Sequence, residues 1–294
     1  MTELSPPLRD QEADLVEKAG RLHGLLASYD SVLVAFSGGA DSAYLAWAAT
    51  AARGDSVLCV TADSPSYPDH HRQLAHRVAR DFGLRHEIIH TSELERAEYR
   101  ANPTNRCYYC KHELYTALTK MAAERGFAVI ADGSNADDRG DYRPGRQAAR
   151  EFGVRSPLDE IGLAKSEIRE LSRRAGLPTW DEPSSACLSS RIPYHSEVTD
   201  EKLRMIEHAE DIVRSVGFRV CRVRHHDLAP AIDGVAPALA RLEIGRDELS
   251  RALDSDVRDR LVREIRAVGY QHVTIDLQGY RMGSLNDGLV LRQV

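Results

Sequence analysis

The sequence passes directly from an apolar run into a glycine-containing loop at Ser31-Val32-Leu33-Val34-Ala35-Phe36-Ser37-Gly38-Gly39-Ala40-Asp41-Ser42. The apolar run predicts a buried strand, and the residues from about Ser42 to Ala52 predict a helix. Two glycines between a strand and a helix allow a tight turn in which successive backbone N–H groups converge on an anion. The stretch therefore predicts a strand–loop–helix unit with an anion-binding site at the start of the helix.

The same alternation of strands and helices continues through the first half of the chain. Strands that alternate with helices indicate an α/β fold, in which a parallel sheet carries helices on both faces. Ligands in such folds bind beyond the carboxyl ends of the strands. The predicted strands are Ser31–Phe36, Ser56–Thr61, Leu84–His90 and Phe127–Ala131, and the predicted helices are about Leu15–Leu26, Ser42–Ala52, Pro68–Phe82 and Lys111–Arg125.

The character of the sequence changes from about residue 184. Apolar residues at helical spacing follow Thr199, which is a predicted N-cap, and the later elements complete a small α+β unit with two helices on a short sheet. We therefore predict two domains, an α/β domain over residues 1–183 and a smaller C-terminal α+β domain over residues 184–294. The later elements are the strands Phe218–Arg224, Leu239–Ile244 and His272–Leu277 and the helix Asp247–Val268.

Composition and charge narrow the possible function classes. Of the 294 residues, 42% are hydrophobic and 29% are charged, which is the balance of an ordinary globular protein. The formal net charge of -6 argues against a protein that wraps nucleic acid. No apolar run approaches the ~20 residues that span a bilayer, and the first residues carry neither the basic nor the apolar part of a secretory signal. We therefore expect a cytoplasmic protein without nucleic-acid or membrane partners.

The cysteines divide into two groups. Cys59 and Cys221 lie in apolar runs and are predicted to be small core residues of strands. Cys107 and Cys110 form a C-x₂-C pair, and Cys187 lies far along the chain. In a reducing compartment such thiols are metal ligands or catalytic groups rather than disulfides. Three thiolates can hold a [4Fe–4S] cluster with one iron open, while a zinc site, a redox dithiol and coincidence remain alternatives.

Side chains add to the anion site of the glycine loop. Ser37 and Ser42 supply hydroxyl donors, and Asp41 is suited to hold Mg²⁺ against a bound phosphate. The loop lacks the lysine ending of a Walker A loop and the fingerprint of a dinucleotide-binding loop. For the pair Gly38-Gly39 alone, a plain strand-to-helix turn is the favoured interpretation. The full hexapeptide in its strand–loop–helix context favours phosphate binding instead.

The hexapeptide Ser37–Ser42 resembles the pyrophosphate loop of the ATP-pyrophosphatase superfamily, whose members cleave ATP to AMP and pyrophosphate. The resemblance implies adenylation, in which a substrate oxygen attacks the α-phosphorus and the loop stabilises the departing pyrophosphate. Thr61 ends the second predicted strand, and Gly133 and Ser134 follow the fourth, where such proteins hold the nucleotide. A solvated loop is the alternative for each of these three residues.

A closer resemblance covers nearly the whole chain. The segment Leu177–Tyr194, which contains Cys187, resembles the LarE family of ATP-dependent sulfur transferases. That family builds the dithiolated pyridinium mononucleotide precursor of the nickel-pincer cofactor of lactate racemase. The stretch Pro230–Pro237 departs from the family pattern and is interpreted as an insertion. Other matching stretches are Gly133–Asp138, Arg143–Gly145, Ser156–Leu158, Arg222–His226 and Thr274–Arg281.

The resemblance implies a role for the three clustered cysteines. Cys187 matches the family's sulfur-donating cysteine, which is consumed in members that have it alone. Members that also carry the C-x₂-C pair hold a [4Fe–4S] cluster through all three thiols and pass on a cluster-bound sulfide. The resemblance therefore implies that Cys107, Cys110 and Cys187 are cluster ligands.

The resemblance also implies a substrate pocket in the C-terminal domain. It assigns Ser190, Arg222 and Arg224 to the substrate phosphate and makes Glu210 an active-site carboxylate. Arg222 and Arg224 alternate on a predicted strand and therefore face one side, which suits forked contacts with a phosphate. A solvated strand face with ordinary ion pairs is the alternative for this pair.

These observations lead us to expect an ATP- and Mg²⁺-dependent sulfur transferase with a [4Fe–4S] cluster. It would adenylate the carboxylates of pyridinium-3,5-biscarboxylic acid mononucleotide and convert them to thiocarboxylates. The expected partners are this small mononucleotide, a sulfide donor, other cofactor-assembly proteins and further copies of the chain in a homo-oligomer. One rival is a [4Fe–4S] tRNA thiolase, which needs a basic surface. The other is a non-catalytic adenine-nucleotide or iron–sulfur sensor, which needs neither the paired arginines nor the Cys187 segment.

Overall fold

The computed structural model describes residues 8–140, 144–183, 186–229, 237–281 and 283–286. The chain forms two compact units. The first consists of Met1–Ser64, Asp69–Glu93 and Cys107–Glu182, and the second of Pro65–Pro68, Leu94–Arg106 and Pro183–Val294. The predicted domain boundary between residues 183 and 184 stays a prediction. It did not include the two short segments Pro65–Pro68 and Leu94–Arg106, which belong to the second unit. Except for Pro237, the stretch interpreted as an insertion lies outside the described residues, as does Arg143.

Helices and strands alternate along the first unit, and the second unit mixes both types. In chain order the elements are α1 (Leu8–Ala27), β1 (Val32–Ala35), α2 (Ala40–Arg53), β2 (Val57–Asp63), α3 (Asp69–Asp81), β3 (His86–His90), α4 (Ala97–Arg100), α5 (Arg106–Arg125), β4 (Val129–Ala131), α6 (Gly145–Glu151), α7 (Pro157–Ile161), α8 (Lys165–Arg174), α9 (Asp200–Ser215), β5 (Cys221–Asp227), β6 (Ala238–Ile244), α10 (Ser255–Ala267) and β7 (His272–Ile275).

The first unit contains a parallel sheet with the strand order β3-β2-β1-β4. Alternate side chains of β1 enter two different cores, because successive residues of a strand point to opposite faces. Val32 and Val34 pack with α1, α2 and α8, whereas Leu33 and Ala35 pack with α5 and α6. The prediction of a parallel sheet with helices on both faces is therefore confirmed. All four strands end at the same edge of the sheet, which is where ligands bind in such folds.

The second unit contains a three-stranded sheet with the order β5-β6-β7. Strands β5 and β6 are antiparallel, β6 and β7 are parallel, and α9 and α10 pack their apolar faces on the sheet. The Thr199 hydroxyl accepts a hydrogen bond from the Lys202 N–H at 3.2 Å, so the predicted N-cap of α9 is present. The prediction of two helices on a short sheet is confirmed.

Two local features differ from the sequence prediction. The helix predicted over Asp247–Val268 starts only at Ser255, because Asp254 has φ -58 and ψ 135, a conformation outside the helical region. The short helices α4 and α6–α8 were not predicted. No helix in the described part of the chain is long and apolar enough to cross a membrane.

Candidate active site

Helix α2 begins directly after the glycine loop, and the loop is braced by its own serines. Gly39 precedes the helix in an extended conformation. The Ser42 hydroxyl donates to the Gly39 carbonyl at 3.2 Å and accepts from the Ser37 N–H at 3.2 Å, while the two serine hydroxyls lie 3.0 Å apart. The first N–H groups of a helix have no acceptor within the helix. With Asp41 in the first turn, the loop can present N–H donors and a carboxylate to a Mg²⁺-bound phosphate.

Two glycines allow neighbouring segments to approach this loop closely. Gly38 has φ +67, and a Cβ atom on it would lie 2.9 Å from the Ala75 Cβ of α3. A Cβ atom on Gly133 would lie 2.9 Å from the backbone nitrogen of Ser42. The structure therefore places the residues that follow β4 directly against the start of α2. A side chain at either glycine would force the loop or its neighbour to move.

Thr61 lies in β2 beside the residue that precedes the loop. Its hydroxyl donates to the Phe36 carbonyl at 2.7 Å and lies 2.8 Å from Nε2 of His86 on β3. The rings of Phe36 and His86 pack edge to face with their centroids 5.4 Å apart. Burial, with a smaller effect from His76, lowers the pKa of His86 to about 4, so the imidazole is neutral at pH 7. Sequence reasoning missed His86, because a lone histidine in a strand carries no functional signal.

Asp132 directly follows β4 and was not predicted as a site residue. Its carboxylate is buried and accepts from the hydroxyls of Tyr115 at 2.8 Å, Ser156 at 2.7 Å and Ser134 at 3.1 Å. It also accepts from the Ser134 N–H at 3.1 Å. Asp132 therefore orders the predicted nucleotide residue Ser134. An acidic residue directly after a buried strand was the available signal.

The cysteines separate into core thiols and accessible thiols. Cys59 and Cys221 are buried, as predicted, and burial raises the pKa of each thiol to about 12, which keeps both protonated and unreactive. Cys107 is exposed and Cys110 is partly exposed, and both lie within the first five residues of α5, in the first unit. Cys187 is partly exposed in the second unit.

Arg191 fixes the backbone around Cys187. Its fully buried guanidinium donates through Nη1 to the carbonyls of Ala186 at 2.6 Å and Cys187 at 2.9 Å. The Nε and Nη2 atoms donate to the two carboxylate oxygens of Glu210 at 2.8 Å and 3.1 Å. This forked pair joins the Cys187 segment to α9, so the position of the cysteine backbone depends on a buried ion pair.

The chain excursion Leu94–Arg106 supports the same segment within the second unit. The hydroxyls of Tyr99 and Ser189 lie 2.6 Å apart, and Arg106 Nη1 donates to the Ser189 carbonyl at 3.0 Å. The Asn102 side-chain amide donates to the Pro193 carbonyl at 2.8 Å. The residues that follow Cys187 are thus held from two sides by buried polar groups, which gives the excursion a structural purpose.

Glu210 is a fully buried carboxylate among positive charges. Besides Arg191, it accepts from Arg214 Nη2 at 2.8 Å and from the Val223 N–H at 3.1 Å. Burial alone would raise the pKa of Glu210, but Arg191, followed by Arg222 and Arg214, outweighs burial and lowers the pKa to about 2. At neutral pH Glu210 is therefore a charged partner for guanidinium groups. Its implied role as an active-site carboxylate stays a prediction.

The predicted phosphate residues lie in and beside β5. Arg222 and Arg224 are only 8% and 6% exposed, so they do not form a solvated strand face. Arg224 donates to the Ser190 carbonyl and to Glu243, both at 2.7 Å, while the Arg222 guanidinium lies 5.2 Å from the centre of the Tyr280 ring. The structure therefore brings Ser190 and Arg224 together. A guanidinium group has five N–H donors, so a buried arginine can bind a phosphate through those N–H groups that its carboxylate partner does not use.

Comparison with known proteins gives the chain a family. No family model matches it. It is 39% identical over 272 residues to an uncharacterised protein of Synechocystis, covering 92% of this chain and 98% of that protein. It is 33% identical over 286 residues to pyridinium-3,5-bisthiocarboxylic acid mononucleotide synthase of Lactiplantibacillus plantarum, covering 96% of this chain and 98% of the synthase. The chain belongs to the LarE family. An uncharacterised protein of Methanocaldococcus jannaschii is 27% identical over 250 residues, with 85% of this chain and 90% of that protein covered.

The family and the described residues can be compared with the iron–sulfur cluster that the sequence implied. The named relative is a synthase, so the family is one of enzymes. Across the residues that the structure describes, no group of three His, Cys, Asp or Glu side chains is placed to hold a metal ion. The donor chemistry nevertheless suits a cluster, since Cys107, Cys110 and Cys187 are the thiols that the two cores leave accessible.

Two buried ionic residues of this LarE-family chain were missed from the sequence. Arg191 lies in the Cys187 segment, and Glu243 lies in β6, where it binds both Arg224 and Arg241. The signal for Glu243 was a charge inside the apolar run Leu242-Glu243-Ile244. Such a charge indicates a buried partner, because an unpaired carboxylate in a core is costly.

Proposed function

We propose that this chain is an ATP-dependent sulfur transferase that converts the carboxylates of pyridinium-3,5-biscarboxylic acid mononucleotide to thiocarboxylates, for the nickel-pincer cofactor of lactate racemase. The observation that carries the proposal is the 33% identity to pyridinium-3,5-bisthiocarboxylic acid mononucleotide synthase over 96% of the chain. An alignment of that length includes both the glycine loop and the Cys187 segment. A match that extends over both segments supports the whole reaction rather than nucleotide binding alone.

The first unit is assigned to adenylation. A substrate carboxylate oxygen attacks the α-phosphorus of ATP, the bond to the β-phosphate oxygen breaks, and pyrophosphate leaves with the electron pair. The N–H groups at the start of α2 and the hydroxyls of Ser37 and Ser42 would stabilise the negative charge on pyrophosphate. Asp41 would hold Mg²⁺. Gly38, Gly39 and Gly133 keep the space around these N–H groups free of side chains.

The second unit is assigned to the substrate and the sulfur step. Arg222, Arg224 and Ser190 would bind the phosphate of the mononucleotide, with Glu210 limiting the repulsion among the buried guanidinium groups. Arg191 holds the Cys187 backbone in place through its two carbonyl contacts. A sulfide nucleophile adds to the acyl carbon of the adenylate, the bond to AMP breaks, and no electrons are gained or lost overall.

The cysteine ligands are the finer part of the proposal. Cys107, Cys110 and Cys187 would hold a [4Fe–4S] cluster, which when bound supplies the sulfide. The chain's own contribution is to keep these three thiols accessible while Cys59 and Cys221 stay protonated in the cores. A separate sulfide donor is the partner that this arrangement requires.

The test is pyrophosphate release in three reactions under anaerobic conditions, each with ATP, Mg²⁺ and sulfide. One contains the mononucleotide, one contains bulk tRNA, and one contains neither substrate. We expect release and a thiocarboxylate product only with the mononucleotide. Release that depends on tRNA would establish a tRNA thiolase instead, and no release in any reaction would leave a sensor.

Variants and intact mass test the assigned residues in the same assay. Asp41→Ala should lower the rate by about 100-fold or more, because one anchor of the leaving group is lost. Asp81→Ala, an exposed acid of α3, is the matched control and should keep the full rate. For the cluster, product should exceed one thiocarboxylate per chain with the protein mass unchanged. A loss of about 34 Da, the H₂S that leaves when a cysteine becomes dehydroalanine, would show that Cys187 is consumed.

A further inference from the structure

The peptide group between Phe36 and Ser37 is the entry to the glycine loop. Phe36 is held on β2 by both of its backbone groups: its N–H donates to the Val60 carbonyl at 2.8 Å, and its carbonyl accepts from the Thr61 hydroxyl at 2.7 Å. Because a peptide group is planar, the direction of the Phe36 carbonyl also sets the direction of the Ser37 N–H. That N–H donates to the Ser42 hydroxyl, which braces the loop.

The protons on Thr61 and His86 follow from simple counting. A threonine hydroxyl has one proton, and Thr61 gives it to the Phe36 carbonyl. The same oxygen lies 2.8 Å from His86 Nε2, so it must accept there, and Nε2 must carry a proton. His86 is therefore the donor at the start of a relay that runs from His86 Nε2–H to the Thr61 hydroxyl and on to the Phe36 carbonyl.

His86 contacts two other rings, and the hydroxyl beside it is shielded from water. Its ring packs edge to face against Phe36 and against His76, with ring centroids 5.4 Å apart in both cases. A neutral imidazole has a single N–H, and the relay commits that proton to Nε2. Thr61 is 1% exposed, so water does not compete for its hydroxyl.

We propose that His86 and Thr61 are positioning residues for the glycine loop, which set the Ser37 N–H through the Phe36–Ser37 peptide group. The sequence predicted that Thr61 contacts the nucleotide. In this proposal Thr61 instead orients the loop through its hydrogen bond to the Phe36 carbonyl. The consequence for ATP rests on the proposed function, in which the loop binds pyrophosphate. The proton positions and the effect on Ser37 do not depend on that function.

The first experiment is NMR without ligand, on the unmodified protein and on two Thr61 variants. A long-range proton–nitrogen NMR correlation assigns the protonated nitrogen of His86. We expect the proton on Nε2 at pH 7, and a proton on Nδ1 alone would overturn the relay. The Ser37 amide resonance should shift in Thr61→Val, which keeps the shape of the side chain and removes the hydroxyl. It should stay in place in Thr61→Ser, and an unmoved Ser37 amide in Thr61→Val would also overturn the proposal.

The second experiment measures binding of ATP with Mg²⁺ by calorimetry. Thr61→Val should weaken binding by about tenfold, while Thr61→Ser should stay within about twofold of the unmodified protein. His86→Leu should weaken binding, and His86→Gln, which keeps a donor near the Nε2 position, should restore part of it. If Thr61→Val does not fold, the two His86 variants give the same comparison. Ser172→Ala is the control, since Ser172 is buried in α8 of the same unit.

The outcomes separate this inference from the proposed function. If the unmodified protein binds ATP and Thr61→Val binds it equally well, the positioning role is wrong. If the unmodified protein does not bind ATP, the proposed function fails, and the His86 tautomer and the Ser37 resonance still decide the relay. A melting temperature lowered equally by Thr61→Val and Ser172→Ala, with ATP affinity unchanged in both, would indicate a purely structural role and overturn the proposal.

Discussion

In the first unit, the backbone N–H groups and hydroxyls of Ser37–Ser42 are available to bind an anion. In the second unit, by contrast, guanidinium groups surround a single carboxylate, that of Glu210. The loop carries no positively charged side chain, so its attraction for a phosphate depends on where its N–H groups point. The guanidinium groups are always charged, so their contribution depends on how the charges are compensated. Arg191 and Glu210 are both fully buried, and removal of the Glu210 charge would leave Arg191 without its carboxylate partner.

We therefore expect each unit to be sensitive to a different kind of substitution. In the first unit the harmful changes are those that alter backbone geometry, such as an added Cβ or a lost hydroxyl behind the loop. In the second unit the harmful changes are those that alter charge without altering shape. Isosteric variants distinguish the two cases, and the expected effects can be ranked.

The largest effect is expected from Glu210→Gln, which keeps the shape of the side chain and removes its charge. We expect a loss of about 3–5 kcal/mol of unfolding free energy, because Arg191 would remain buried without a counter-charge. The measurement is urea unfolding followed by circular dichroism. Since the pKa of Glu210 is lowered to about 2 from 4.5, its stabilisation is present above pH 4.5 and is lost as the pH falls toward 2.

The matched control for this prediction is Glu87→Gln. Glu87 pairs with Arg125 at 2.7 Å on the surface of the first unit, with both side chains more than 40% exposed. Solvent screening limits such a pair, so we expect a change below about 1 kcal/mol. Equal effects of the two variants would contradict the view that charge compensation stabilises the second unit.

The next effect is expected from Gly38→Ala in the loop. The new Cβ would lie 2.9 Å from the Ala75 Cβ, and the residue would keep φ +67, so we expect a loss of about 2–4 kcal/mol and of ATP binding. Gly54→Ala is the control, because it has φ +52 with no atom within 4 Å of the new Cβ. It should cost about 1 kcal/mol and keep ATP binding. Similar unfolding energies for the two variants would show that contact with α3 is unimportant.

The sequence predicted the features that depend on neighbouring residues. The strand–loop–helix unit at Ser31–Ser42, the Thr199 N-cap and the burial of Cys59 and Cys221 all follow from local patterns, and the structure contains each of them. The helices α6 and α7, with 7 and 5 residues, are too short for apolar periodicity to be recognised. The apolar spacing around Asp254 continues a helix that the backbone of that residue interrupts.

Local sequence patterns did not predict the ion pairs and hydrogen bonds between residues that are distant in the sequence. Arg191 finds Glu210 on another element, and Asp132 collects its donors from α5, from the loop that follows β4 and from the residue before α7. Each member of these groups is an ordinary polar residue in its own stretch of sequence. Only the packing of the elements gives it a buried partner, and burial is what makes the partnership energetically important.

A moderate effect is expected from pH through His86. Its pKa is lowered from 6.5 to about 4, so the unfolded chain binds more protons than the folded chain between these values. The contribution of His86 to stability is therefore full above about pH 6.5 and falls as the pH drops toward 4, by on the order of 2 kcal/mol once the shift is reduced for solvent screening of the partly exposed imidazole. Unfolding energies measured across this range should fall less steeply in His86→Gln. His272→Gln, at an exposed histidine of β7, is the control, and an unchanged slope in His86→Gln would contradict the burial of a neutral imidazole.

The smallest effect is expected from Tyr115→Phe, because Asp132 keeps three of the four donors that hold it. Tyr115 lies on α5, the helix that carries Cys107 and Cys110, and its hydroxyl donates a 2.8 Å hydrogen bond to Asp132. Its loss should cost about 1 kcal/mol, since the buried carboxylate loses a partner that water cannot replace. Tyr108→Phe makes the same change on the same helix, where the hydroxyl donates to Glu151 near the surface, and should cost less than about 0.5 kcal/mol. Urea unfolding followed by tryptophan fluorescence measures both variants, and a cost for Tyr115→Phe no larger than for Tyr108→Phe would show that Asp132 does not depend on α5.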